Sequence, residues 1–130
     1  MPDTVPEAVR RLLLGRIGSI AELEVLLLLL RTAPDEWDAA RLAREQRVDA
    51  AWAAEQLASL ARSGLLREDA AHGRYRFEPA TPEIAKAVEA LAAYYADRPL
   101  RVVALLYSQP LDRIRGLADA FRIRREEDDE

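Results

Sequence analysis

Apolar residues recur at helical spacing through most of the chain, and residues that start or stop helices lie between them. Val9, Leu12 and Leu13 share one face of a first helix predicted from about Pro6 to Arg16, with Thr4 and Glu7 spaced as a capping box. Gly15 and Gly18 loosen the chain after it. Ser19 and Glu22 repeat the capping-box spacing and open a helix from about Ile20 to Arg31. Val25 to Leu30 is an unbroken apolar run, so this helix is apolar nearly all round and belongs at the centre of the core. Pro34 interrupts it. Trp37 precedes the next start, where it can staple a helix to the core. Asp38 is the expected N-cap of a helix to about Gln46 that turns Leu42 inward. Asp49 caps a further helix, Ala50 to Ser63, with Ala53, Leu57 and Leu60 facing the core and Gly64 as its stop.

Beyond Gly64 the pattern shortens. Leu65 to Asp69 and Arg74 to Glu78 flank Ala70-Ala71-His72-Gly73 and read as a hairpin. Tyr75 and Phe77 share one face of its second strand, Arg74 and Arg76 the other. Thr81-Pro82-Glu83 is a helix entry, followed by Ile84, Val88, Leu91 and Tyr95 at helical spacing. Leu100 to Tyr107 is apolar on both sides and fits a buried helix or a strand; the flanking helices favour helix. Pro110 introduces a last helix with Leu111, Ile114, Leu117 and Phe121 on one face. The fold class is mainly α with a small β-hairpin. The chain divides into a helical arm (1–18), a central unit (19–80), a helical extension (81–125) and an acidic tail (126–130).

Composition narrows the chemistry. The 130 residues contain no cysteine and one histidine, His72, which excludes disulfides, thiolate metal sites and multi-histidine zinc sites. No apolar run approaches the roughly 20 residues a membrane span needs. Met1-Pro2-Asp3 lacks the layout of a signal peptide, so the expected location is the cytoplasm, with no membrane partner. The formal charge of −4 comes from the tail: without its five acidic residues, 19 basic residues stand against 18 acidic ones. Eighteen of the 19 are Arg, a bias that a GC-rich coding sequence also produces.

The order helix, helix, helix, hairpin is carried by a definite spacing: Leu42-Ala43, Val48-Asp49, Leu57, Leu60 and Gly64-Leu65-Leu66. This stretch resembles the winged helix-turn-helix of bacterial transcription regulators, the MarR-like and related groups. The resemblance covers about 60 residues and implies a winged helix-turn-helix at 19–80 with N- and C-terminal helical extensions. It also implies duplex DNA as partner, with the third helix of the motif in the major groove. Arg41, Arg44, Arg47, Arg67, Arg74 and Arg76 are then the candidate DNA contacts, and Gln56 is the candidate base reader. The departures from that pattern are concentrated where bases would be read. Base edges are read by Arg, Lys, Asn, Gln, Ser or Thr, whereas this helix begins Asp49, Ala50, Ala51, Trp52, Ala54, Glu55. Across 41–80 seven basic residues meet six acidic ones, hardly a basic stripe.

The alternative is a winged-helix protein-protein interaction module that has lost specific DNA reading. Its contact surface would be Ala50, Ala51, Trp52, Ala54 and Glu55, with Trp52 as an exposed anchor; the plainer reading folds Trp52 onto its own domain. His72 reads as a solvated turn residue, with a phosphate contact as the minority reading. Asp112 and Asp119 share a face, but nothing completes a metal site. Gly15-Arg16-Ile17-Gly18 lacks the Lys-Ser/Thr of a phosphate loop. No catalytic constellation and no cofactor are indicated, so an enzyme is not expected. By resemblance a homodimer is expected, built from the two ends through Leu12, Leu13, Leu111, Ile114, Leu117 and Phe121.

Overall fold

The computed structural model describes residues 5–107. They form helices α1 (Glu7–Gly15), α2 (Ile20–Arg31), α3 (Ala39–Gln46) and α4 (Ala50–Arg62). Strands β1 (Leu66–Asp69) and β2 (Arg74–Phe77) follow, then helices α5 (Pro82–Asp97) and α6 (Pro99–Tyr107). The fold is mainly α with a small antiparallel hairpin, and α2 to β2 run in the order of a winged helix-turn-helix. Residues 100–107, open between helix and strand from sequence, are helix. The expected last helix, with Leu111, Ile114, Leu117 and Phe121, lies outside the described residues.

Local chemistry sets the helix starts. Ser19, Asp38, Asp49 and Thr81 each sit at an N-cap and accept the backbone N–H three residues on. Each such cap is worth about 1 kcal/mol. The expected capping box of α1 is different: Pro6 holds the N-cap position and no side chain caps the helix, while Thr4 lies outside the described residues. At the other end of α4, Gly64 adopts φ +79°, and Leu65 N–H reaches back to Leu60 O at 3.0 Å. A Cβ there would also come within 3.3 Å of Arg16 Nη1, and that guanidinium donates to the Ser63 carbonyl, tying the end of α1 to the end of α4.

The core is organised around α2. Leu23, Leu26 and Leu29 are fully buried, Val25 and Leu27 nearly so. Burying each such side chain stabilises the fold by about 1.5–3 kcal/mol. α4 and β2 pack on α2; α3 packs on α4, and α4 on β1. α1 packs on α5 and α6 within the same chain. Leu12 and Leu13, expected at a subunit interface, are buried in the chain's own core because α5 covers that face of α1. α6 buries Val102 and Leu106 but leaves Leu100 and Tyr107 exposed, so it is less enclosed than its largely apolar sequence suggests.

Two long-range features were not expected. Trp37 is buried, as anticipated. Its backbone pairs with Tyr75 through two 2.7 Å hydrogen bonds and adds a third, one-residue element beside the hairpin. Its Nε1–H donates to Thr32 Oγ1 at 2.9 Å, which anchors the ring to the end of α2. The second feature is Glu22, a charged side chain only 7% exposed. Its Oε2 accepts from Gly18 N–H at 3.2 Å, rather than from the cap residue itself as a capping box would have it. Its Oε1 accepts from Ser59 Oγ at 3.1 Å, joining α2 to α4.

Removing that acceptor leaves donors in a part-buried setting without a partner. Glu22→Ala should cost about 1–3 kcal/mol and Ser59→Ala less. In urea denaturation the double variant should then lose less than the sum of the singles. Strict additivity would mean that the Glu22–Ser59 bond contributes nothing.

Candidate interaction surface

The residues expected to meet a partner lie on α3, α4 and the hairpin. α3 ends on Arg47, which takes the left-handed conformation (φ 56°). This reverses the chain so that Val48 N–H bonds Ala43 O at 3.0 Å and Val48 packs against the core. Asp49 then caps α4 through Trp52 N–H at 3.0 Å. The start of α4 is therefore fixed by backbone geometry and one carboxylate.

Its chemistry is bare. Ala50, Ala51, Ala54 and Glu55 are exposed. Gln56, the candidate base reader, is half-buried. Trp52 is half-buried and packs against the core, nearer the plainer reading than an exposed anchor. Asp49 is exposed too, its carboxylate engaged at the cap. The outward face of the helix therefore carries methyl groups and a negative charge where bases would require donors.

The candidate cationic residues separate into two sets. Arg44 and Arg47 are exposed, with no ion pair among the described residues. The other four are engaged. The Arg41 guanidinium stacks 3.8 Å from the centroid of the Trp37 ring and donates to Glu36 O at 2.9 Å. Arg74 lies 3.7 Å from Glu36. Arg67 and Arg76 both bind Glu78, each at 2.8 Å. These contacts pull the Glu78 carboxyl below its usual range, the Arg67 bond first, and push the Arg67 guanidinium up.

Glu36 and Glu78 were not among the candidate residues from sequence, and they decide what the wing arginines do. Part of the signal was present: Arg76 and Glu78 are two apart in a strand and so share a face. Arg67 joins them only through the hairpin register, which sets it opposite Arg76. At the wing turn His72 Nδ1 lies 2.8 Å from Asp69 Oδ2, and His72 is exposed, as a turn residue should be. Among the described residues no group of three or more potential metal ligands occurs, and no helix is long and apolar enough to cross a membrane.

Comparison adds no relative: no protein-family model, curated protein or solved structure matches the chain.

The His72 contact is the main cause that holds Asp69 below the ordinary carboxylate range. With a depressed folded pKa, the benefit of this pair is present above the unfolded value and is lost as pH falls through the folded one. Carboxyl NMR should follow that titration, and His72→Ala should return Asp69 towards the ordinary value of about 3.9. An Asp69 titration that ignores the substitution would contradict the contact.

Proposed function

We propose that this chain is a non-enzymatic binding module on a winged-helix frame, of the regulator-like kind, acting in the cytoplasm. In this reading a protein partner takes the place of a base sequence. The observation that carries it is the outward face of α4: Ala50, Ala51 and Ala54 are exposed beside Glu55. Small side chains let a partner helix approach closely, and a carboxylate at that position opposes phosphates. The neutralised wing points the same way, since Arg67, Arg74 and Arg76 already meet carboxylates.

Ala54→Arg tests this at an exposed helical position where Arg is nearly as good a helix former as Ala. The substitution should abolish partner capture without lowering Tm. Capture by the unmodified chain should persist at about 0.5 M salt, because apolar burial is not screened. Capture that survives Ala54→Arg would refute the assignment of the face.

Arg44 and Arg47, exposed and with no ion pair among the described residues, favour duplex DNA as the second reading. Binding would be electrostatic and weakly sequence-dependent. Arg44→Ala with Arg47→Asn, which suits the left-handed backbone, should flatten the log–log salt dependence by about 2. Anisotropy with a labelled random-sequence duplex reads this directly, and an unchanged slope removes both residues from the contact.

A further inference from the structure

α6 carries two apolar faces. Val102 and Leu106 are buried, and Leu105 packs against the core beside them. On the other side Leu100, Val103, Ala104 and Tyr107 recur at i, i+3, i+4 and i+7, which sets them in one stripe along the helix. Leu100 is 81% exposed and Tyr107 77%, and Ala104 is exposed between them. Among the described residues these two are the large apolar side chains left in water.

The chain that continues from α6 has the matching pattern. Leu111, Ile114, Leu117 and Phe121 share one face of the helix expected after Pro110, and Ala118 falls in the same stripe. Only Ser108, Gln109 and Pro110 separate the two stripes. So short a connection makes successive helices antiparallel neighbours. Pro110 also lacks the N–H that would continue α6. Folding back about residue 109 sets Leu111 beside Tyr107, Ile114 beside Ala104 and Ala118 beside Leu100. Beyond the turn each level then pairs a large side chain with a small one, the arrangement that packs two helices closely. The exposed stripe runs only about 10 Å along its helix. By itself it is too short to supply the roughly 800 Å² that each partner of a stable dimer buries.

We propose that the segment 111–121 folds back on α6 and covers this stripe from within the same chain, as a helical hairpin. The apolar face expected at a subunit interface is then satisfied internally. This does not depend on what α4 binds.

The chain has no cysteine, so a pair of introduced thiols reports on this contact alone. Leu100→Cys with Ala118→Cys in the full chain, oxidised at a concentration of about 10 µM, should give a disulfide within one chain. Intact mass identifies it, because the product keeps the mass of a single chain. The control is Leu100→Cys with Asp119→Cys, which turns the second thiol away from the stripe by one helical step, about 100°. Both pairs share one tether, with an effective concentration of about millimolar order, so tethering alone gives equal rates. Docking should make the Ala118→Cys pair close about tenfold faster, because a disulfide needs facing Cβ atoms. Equal rates, or no bond in either pair, would overturn the docking. A disulfide between chains as the main product would also overturn it, and would give the stripe to a second copy.

Discussion

A helix that is apolar nearly all round must be covered on every side, and α2 sets this demand for the whole chain. α4 and β2 answer it from the motif. α5 answers it from the extension, where Ala92, Tyr95 and Ala96 line a groove with Leu27 and Leu30. Tyr95 hydroxyl donates to Glu24 at 2.7 Å at that junction, and this bond holds the phenol above its usual range. The helices after the hairpin therefore share one core with the first part of the chain. They add Val88 and Leu91 of α5 to that core, and α1 joins it by packing on α5 and α6.

The frame and the chemistry carried on it diverge. The turn into α4 has the geometry that presents a helix outward, with Arg47 left-handed, Val48 inserted and Asp49 capping. The residues presented are alanines and a glutamate. The hairpin carries arginines, yet Glu78 beside it and Glu36 from the connection between α2 and α3 meet them. A fold position and a functional side chain are independent choices, and here the outward chemistry is nearly neutral.

What the sequence made legible was local. The four side-chain caps follow from one residue type at a fixed offset from a helix start, which is why Ser19, Asp38, Asp49 and Thr81 were readable. The hairpin followed from Gly73 between two short runs. Features that needed the third dimension were not readable. Ser59 lies 37 residues from Glu22, and the bridge from Trp37 to Tyr75 spans 38 positions. Arg67 meets Glu78 only because the register puts Arg76 opposite it. Counting arginines along the chain therefore overstated the positive surface: charge becomes available only after the folded neighbours have claimed their share.

The two tryptophans occupy opposite optical environments. Trp37 is sealed between the hairpin and α2, with a guanidinium on its ring face and its indole N–H bonded. Trp52 rides half in water on α4. A buried indole emits to the blue of a hydrated one, so the environments set Trp37 to the blue of Trp52. The chain therefore carries two intrinsic fluorophores, one beside the hairpin and one on α4. The two can be resolved by quenching with a soluble agent that reaches only Trp52.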